Sequence, residues 1–391
     1  MKKIAFFGIP AHGHTNPTLE VVGCLVEKGH EVRYYSYDLM REKIESTGAR
    51  YIACDRYDIQ MNLKPEDSGR IGKDIAFSME VLVHTTLALD EALLEDMRVW
   101  KPDCIVADSM AIWGKLIALK LDIPFVSSTT TFAFNRHSAK IMKQGIGELF
   151  KWLLSLPKAN RSLKRLRDKG YPVRGVLSIL QNDNDTHTIV YTSPAFQPCA
   201  ETFSDKYIFV GPSVPQRDDK IIKPKRKTVY ISLGTVNNLN ISFFRNCMTA
   251  LNDSGMDVIM SVGSVIDMAD LGDIPENFHV EKSVNQIEVL QRVDMFITHC
   301  GMNSVNEALY YEVPLIMFPQ TGEQGGVAYR VNELGAGVYL KDNRVDAIKE
   351  AVKEISDHPI YRDNARKISE GFRKCGGPRL AADKILEVAR K

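Results

Sequence analysis

The sequence lacks a long apolar run, a surplus of one charge and closely spaced cysteines. Because no stretch reaches about 18 consecutive apolar residues, we expect no membrane span. The 50 lysines and arginines balance 49 aspartates and glutamates, which argues against nucleic acid as a partner. The seven cysteines form no C-x-x-C pair and no metal-binding pattern with histidines, so we expect reduced thiols in a cytoplasmic protein.

The sequence signatures of several common enzyme sites are missing as well. No G-x-G-x-x-G follows the first predicted strand of either half, and no G-x-x-x-x-G-K-[ST] occurs, which disfavours nicotinamide enzymes and P-loop nucleotidases. No G-x-S-x-G is visible, so a general-base site is favoured over a covalent triad. The opening MKKIAFFGIPAHGH has no small-residue cleavage site, which indicates a buried strand and not a signal peptide.

What is present is an alternation of short apolar strands and amphipathic helices in both halves of the 391-residue chain. It predicts an α/β fold with two doubly wound, Rossmann-like domains facing across a cleft. The expected domains are 1–215 and 228–376, with a charged linker at 216–227 and a C-terminal helix at 377–391 that packs back on the first domain. The predicted strands lie at 3–9, 31–37, 50–54, 103–107, 123–127, 228–233, 257–262, 278–281, 294–298, 314–318 and 337–340.

Two histidines and an aspartate stand out in the first half. Asn16 and Pro17 predict the start of a helix, which places His14 in the preceding loop, where the positive helix end favours a neutral imidazole. In the common doubly wound order the first and fourth strands are neighbours, so Asp108, after the fourth strand, is expected beside His14. A carboxylate there would fix the tautomer and leave the other nitrogen to accept a proton. Alternatively, His12 and His14 are plain loop residues and Asp108 is a helix N-cap.

The strand ends of the second half also carry small and polar residues. By the same strand order, Gly234 and Thr235, in ISLGT, and His299, in THCG, should converge in a turn suited to phosphate. Glu323 and Gln324 follow the next strand and supply groups for sugar hydroxyls, or else form a simple loop turn.

The helix that follows His299 has two interpretations. Gly301, Asn303 and Ser304 would surround its N-terminus and could bind a diphosphate through N–H, amide and hydroxyl groups. Ser304 and Glu307 also have the S-x-x-E spacing of a capping box, which is a purely structural interpretation. In the first interpretation, Glu307 is suited to hydrogen bonding with ribose hydroxyls.

These motifs resemble those of a known family. The block HCGMNSVNEALYYEVPLIMFPQTGEQ, at 299–324, resembles the donor-binding signature of the UDP-glycosyltransferase superfamily. GIPAHGHTNPTLE resembles its acceptor-side start, and the length and the VGPSVP segment are most similar to the bacterial macrolide-glycosyltransferase-like branch. The resemblance implies a GT-B fold and inverting transfer of a sugar, usually glucose, from a UDP-sugar to a small acceptor, without a metal or another cofactor.

The resemblance also implies roles for individual residues. His14 would be the general base and Asp108 its partner. The uridine would contact Val284, Gln286 and Glu307, and the sugar would contact Glu323 and Gln324. The expected diphosphate-binding residues are Gly234, Thr235, His299, Gly301, Asn303 and Ser304.

Four positions depart from the family pattern. Met302 stands where many members have tryptophan, Asn285 replaces a proline, Glu312 replaces a glycine and Glu323 replaces an aspartate. The first two put the donor preference in question, and not the fold.

The acceptor is expected to be apolar or aromatic, of a flavonoid, phenol or macrolide type. The segments 77–89 and 127–138 are apolar or aromatic, with Phe132 and Phe134 as candidate pocket walls and His12 nearby, although these are equally typical of core faces. The alternatives to a transferase are a nucleotide-sugar epimerase on the same fold and a non-catalytic UDP-sugar-binding subunit. We expect a monomer or a weak homodimer.

Overall fold

The chain folds into two units, each built on one parallel sheet. The computed structural model describes residues 1–57, 70, 74–138, 146–180, 182, 184–215, 221–234 and 240–390. Unit 1 comprises Met1–Ser213 with Cys375–Lys391, and unit 2 comprises Val214–Lys374. Of the expected linker, 216–220 lies outside the described residues, and 221–227 belongs to unit 2.

The sheet of unit 1 has, within the described residues, the order β3-β2-β1-β4-β5-β6-β7 with every pair parallel. Its first five strands were predicted from the sequence, whereas β6 and β7 were not, because each is short and lies between turns. The strands are β1 Lys3–Phe7, β2 Glu31–Ser36, β3 Arg50–Ala53, β4 Cys104–Asp108, β5 Phe125–Thr129, β6 His187–Val190 and β7 Tyr207–Phe209.

Helices cover both faces of this sheet, as a parallel sheet requires. Alternate residues of β1 point to opposite faces: Ile4 and Phe6 join one apolar cluster, and Ala5 and Phe7 join another. The second cluster contains residues of α3 and α4, and the first contains residues of α1. The helices are α1 His12–Glu27, α2 Arg41–Glu45, α3 Ile75–Trp100, α4 Ile112–Leu121, α5 Ile146–Asp168 and α6 Val176–Leu180.

The start of α1 differs from the prediction. The helix begins at His12 after Ala11, whose carbonyl accepts hydrogen bonds from the backbone N–H groups of His14 and Thr15, both at 3.0 Å. Asn16 is therefore not the N-cap, and His14 lies in the first turn of the helix instead of in a loop. Pro17 inside the helix has no N–H for the carbonyl of Gly13, but Gly13 is exposed and water can satisfy that carbonyl.

The sheet of unit 2 repeats the doubly wound pattern, with the order β10-β9-β8-β11-β12-β13 in the described residues. All six strands match predicted segments to within about two residues, because each is a short segment with apolar residues. The strands are β8 Thr228–Ser232, β9 Asp257–Ser261, β10 Phe278–Glu281, β11 Met295–Thr298, β12 Leu315–Met317 and β13 Gly337–Tyr339. The helices are α7 Ile241–Leu251, α8 Gln286–Leu290, α9 Met302–Tyr310, α10 Gly322–Glu333, α11 Val345–Asp357 and α12 Ile360–Arg373.

The last helix, α13 Gly377–Val388, belongs to unit 1 and packs against α1. Ala381, Ala382 and Ile385 are fully buried in the same apolar cluster as α1. The Gly377 N–H also donates to the carbonyl of Val210 at 2.9 Å. Within the part of the chain that the structure describes, no helix has both the length and the apolar character needed to cross a membrane.

A left-handed residue ends α9. The N–H of Val313 donates to the carbonyl of Ala308, and the N–H of Glu312 donates to that of Leu309, which is the Schellman pattern. Glu312 occupies the position usually taken by glycine and has φ +66°. Its carboxylate lies 3.5 Å from the guanidinium of Arg366, a pair at the surface that offsets little of the backbone strain.

Replacing Glu312 tests this strain. Both Glu312→Gly and Glu312→Ala lose the ion pair with Arg366, but only glycine adopts a positive φ without a steric penalty. We therefore expect the glycine variant to exceed the alanine variant in free energy of unfolding by roughly 1 kcal/mol, measured by urea unfolding followed by circular dichroism. Equal stability of the two variants would contradict the assignment of strain to this residue.

Candidate active site

In unit 1 a histidine and an aspartate from two neighbouring strand ends form a hydrogen-bonded pair. β1 pairs with β4 in parallel, with Phe7 opposite Ala107, so α1 begins close to the end of β4. His14 Nδ1 lies 2.9 Å from Asp108 Oδ2. The other oxygen of Asp108 accepts the N–H of Met110 at 2.8 Å. The carboxylate is 5% exposed. The N-cap interpretation of Asp108 is wrong, because the helix begins at Ile112 with Ala111 as its N-cap.

The pairing decides the tautomer of His14. Nδ1 faces a carboxylate oxygen, so it carries the proton, and the lone pair of the neutral ring lies on Nε2. Thr130 Oγ1 lies 3.0 Å from the same Nδ1, a contact that the sequence reasoning missed. The signal was available, because Thr130 directly follows β5, the strand next to β4.

The three predicted acceptor-pocket residues differ in their surroundings. Phe132 is 3% exposed and packs against Phe196 with ring centroids 5.5 Å apart, so its ring is part of the buried core. Phe134 and His12 are half-buried. Burial, and then the ammonium of Lys43 at 3.4 Å, lowers the pKa of His12 below its usual value. The predicted acceptor segment 77–89 lies within α3, and part of it belongs to the core of unit 1.

In unit 2 the imidazole of His299 packs between two glycines. β8 and β11 pair in parallel, and a Cβ on Gly234 would approach His299 Cε1 to 2.6 Å. A Cβ on Gly301 would approach His299 Nε2 to 2.7 Å. Gly234 also has φ +77°. Glycine is therefore required there both by the close approach of His299 and by the backbone conformation. Thr235, predicted beside Gly234, lies outside the described residues.

His299 is a neutral hydrogen-bonding group. Burial lowers its pKa to about 4, against a weaker opposing hydrogen bond with the backbone of Ser232. Its Nδ1 is buried and has no hydrogen-bond partner among the described residues.

The helix α9 starts three residues after His299, at Met302, with Gly301 as N-cap. Gly301 has no side chain to cap the first turn, so the helix presents backbone N–H groups and the positive end of its dipole. The capping box considered for Ser304 and Glu307 is wrong, because both residues lie inside the helix. This geometry fits a diphosphate.

Ser304 and Glu307 instead belong to a polar network. Gln286 Nε2 lies 3.2 Å from Ser304 Oγ and 2.5 Å from Glu307 Oε2. Asn303 Nδ2 lies 2.6 Å from Glu307 Oε1. The hydroxyl of Tyr230 donates to Gln286 Oε1 at 3.3 Å. Four of these five residues were predicted from the sequence. Tyr230 was not predicted, because it lies within a buried strand and no neighbouring polar residue marks it as part of a site.

The capping box in this part of the chain is at the start of α10. The Thr321 side chain accepts the N–H of Gln324, and Gln324 Oε1 accepts the N–H groups of Gln320 and Thr321 at 2.7 and 3.2 Å. Glu323 and Gln324 therefore lie in the first turn of α10 and not in a loop turn, and the amide oxygen of Gln324 has a structural role. Glu323 is exposed in the same helical turn.

Comparison with known proteins identifies the family. The chain is 35% identical to the NDP-glycosyltransferase YjiC of Bacillus licheniformis over 395 residues, covering 98% of this chain and 97% of the relative. The chain belongs to the UDP-glycosyltransferase superfamily. It is also 31% identical to the uncharacterized UDP-glucosyltransferase YojK of Bacillus subtilis, covering 100% of this chain and 98% of that protein.

Within the superfamily the chain falls in the bacterial macrolide-glycosyltransferase-like branch. The model of the erythromycin biosynthesis protein CIII-like C-terminal domain matches residues 245–387. The solved structure of CalG4, the calicheamicin glycosyltransferase, is similar with a TM-score of 0.81 and 28% identity over 100% of this chain and 99% of that chain. The fold is GT-B, as predicted, and the protein is a glycosyltransferase.

Two of the departures from the UDP-glycosyltransferase pattern have structural explanations. Glu312 takes the glycine position of a Schellman motif, as described above. Asn285 is the N-cap of α8, and its side chain accepts the N–H of Glu288 at 3.3 Å. Met302 is buried at the start of α9, and nothing in the structure explains methionine there. Val284, predicted to stack on the nucleobase, is half-buried in the loop before α8.

The neutral state of His299 is open to measurement. Its ring signals in a proton NMR titration should shift with a midpoint near pH 4 and not near the usual 6.5. Since the unfolded chain binds a proton below about pH 6.5 and the native site does not, the free energy of unfolding should fall as pH drops through this window. The His299→Gln variant identifies the signal and should weaken that fall. A midpoint above pH 6 would contradict the burial argument.

Proposed function

We propose that this glycosyltransferase is inverting. It would transfer a sugar, with glucose as the expected one, from a UDP-sugar to a hydroxyl of a small apolar or aromatic acceptor and form a β-glycoside. The observation that carries the proposal is the 2.9 Å contact between His14 Nδ1 and Asp108 Oδ2. This contact places the ring proton on Nδ1, so the unprotonated Nε2 can accept a proton, which is the role of a general base.

In the proposed step, His14 Nε2 takes the proton of the acceptor hydroxyl. The acceptor oxygen forms a bond to the anomeric carbon from the face opposite the nucleotide, the bond from that carbon to the diphosphate oxygen breaks, and UDP leaves with the electron pair. Asp108 stabilises the imidazolium that forms. From an α-linked donor, one displacement of this kind gives a β-glycoside.

Unit 2 would hold the donor. The proposed diphosphate contacts are the N-terminus of α9 with Gly301 and Asn303, the Ser304 hydroxyl, an imidazole N–H of His299, and Gly234. Thr235, which lies outside the described residues, is proposed as a further contact. Val284, Gln286 and Glu307 are the proposed uridine contacts, and Glu323 and Gln324 the sugar contacts. The relative YojK is named an uncharacterized UDP-glucosyltransferase, and this name makes UDP-glucose the first donor to test.

We also propose that the reaction needs no metal ion. His299 is neutral and adds no charge, so the leaving diphosphate would be stabilised by oriented N–H groups and by the helix dipole. Such groups are fixed before the reaction and need no reorganisation as charge develops.

A single assay separates the transferase from the two alternatives. The enzyme is incubated with UDP-glucose alone and with a panel of phenols, flavonoids and macrolides, while UDP release and acceptor mass are followed. We expect UDP release that depends on the acceptor, an acceptor mass increased by one hexose, and unchanged rates in EDTA. Epimerised donor without an acceptor, or binding without turnover on any acceptor, would contradict the proposal, and loss of activity in EDTA would contradict its metal-free part.

The general base is tested by substitution. His14→Ala should lower transfer to hydroxyl acceptors by about 10²–10⁴-fold, because it removes the Nε2 that would take the proton, while UDP affinity in calorimetry stays unchanged. His12→Ala, two residues away in the same helical turn, is the matched control and should retain most of the activity. If His14→Ala works at the wild-type rate and His12→Ala does not, the base has been assigned to the wrong histidine.

A further inference from the structure

The side-chain amide of Gln286 is held in one orientation. Its nitrogen donates to Ser304 and to Glu307, at 3.2 and 2.5 Å, which uses both of its N–H groups. The reversed amide would place its oxygen against the Glu307 carboxylate, where two acceptors repel each other. Only the amide oxygen, Oε1, is therefore left to meet a ligand.

Tyr230 holds that oxygen in place through a hydrogen bond. Its hydroxyl donates to Gln286 Oε1 at 3.3 Å, and the side chains of Ser232 and Ser261 also hydrogen-bond to this hydroxyl. Burial raises the pKa of Tyr230 to about 12, so the hydroxyl keeps its proton. The ring is 1% exposed and stacks on Phe296 with centroids 4.5 Å apart, which holds the hydroxyl in place.

Glu307 presents acceptors as well. It is 6% exposed, and its two oxygens receive N–H groups from Asn303 and Gln286. An ionised carboxylate has no proton to donate, so it meets a ligand only as a hydrogen-bond acceptor. The Glu307 carboxylate and the Gln286 amide oxygen thus belong to one network that recognises hydrogen-bond donors and not acceptors.

Contact between Glu307 and the ribose hydroxyls is what the family resemblance implies; we propose in addition that Tyr230 is a positioning residue that, through Gln286, orients this network toward two adjacent hydroxyl donors. The ligand class is a nucleoside diphosphate with a ribose 2′,3′-diol, in preference to a 2′-deoxyribose. The inference rests on the proposed function, since it requires unit 2 to bind the nucleotide. Removing the 2′-hydroxyl leaves one acceptor of the network without a donor, which typically costs about 10-fold or more in affinity.

Calorimetric binding of UDP and of 2′-deoxy-UDP tests the proposal. The wild type should bind UDP at least about 10-fold more tightly than 2′-deoxy-UDP. Tyr230→Phe keeps the ring and removes the hydroxyl, so the Gln286 amide can turn, and the ratio of the two affinities should fall by about 3-fold or more. Tyr311→Phe is the matched control. It removes the hydroxyl of a buried tyrosine of the same unit, which donates to the Pro215 carbonyl at 2.7 Å, and should leave the ratio unchanged.

A second background separates positioning from a general loss of stability. In Gln286→Ala the ratio should already be low, and adding Tyr230→Phe should change it no further, because the hydroxyl acts only through the amide. If Tyr230→Phe fails to fold in a circular-dichroism melt, Gln286→Ala alone must lower the ratio.

The outcomes that overturn the inference differ from those that overturn the proposed function. If the wild type binds UDP and 2′-deoxy-UDP equally, the selection of ribose is wrong. If the wild type discriminates and Tyr230→Phe matches both the wild type and Tyr311→Phe, the role of Tyr230 is wrong. If the wild type binds no UDP at all, the donor assignment of the proposed function fails first.

Discussion

The pairing of the first strand of each sheet with its fourth strand is the constraint on which both candidate sites depend. In unit 1, β1 hydrogen-bonds to β4, and this brings His14 and Asp108, 94 residues apart in sequence, within 2.9 Å. In unit 2, β8 pairs with β11 and places Gly234 against the ring of His299. Because helices bury both faces of each sheet, the strands cannot slide, and the groups at their carboxyl ends keep fixed positions.

The site in unit 2 is organised by one buried carboxylate. Glu307 orients two amides, those of Asn303 and Gln286, and the orientation of each amide decides which of its atoms meets a ligand. His299 contributes a hydrogen bond without a charge. Recognition in such a site comes from the direction of dipoles that are set before a ligand arrives, which is the condition for strong electrostatic stabilisation in a dry site.

The sequence predicted most of the architecture, because buried parallel strands are short apolar runs with clear ends. It located all six strands of unit 2, and the strand order placed Asp108 beside His14. It failed where local signals compete: Asn16-Pro17 is a strong helix start, yet α1 begins at His12, and Ser304 has capping spacing, yet the helix begins before it. Thr130 and Tyr230 were missed because their importance comes from hydrogen bonds to residues 116 and 56 positions away.

The return of α13 to unit 1 has a consequence for the order in which the chain folds. Unit 1 is encoded in two pieces, Met1–Ser213 and Cys375–Lys391, with all of unit 2 between them. On the ribosome, every residue of unit 2 is therefore synthesised before the helix that covers α1 and its sheet. Until Ala381 and Ile385 emerge, unit 1 exposes the apolar surface that they bury. Unit 1 therefore keeps this apolar surface exposed while unit 2 is synthesised. A chain that lacks its last helical turns would expose the same surface permanently, and exposed apolar surface favours aggregation.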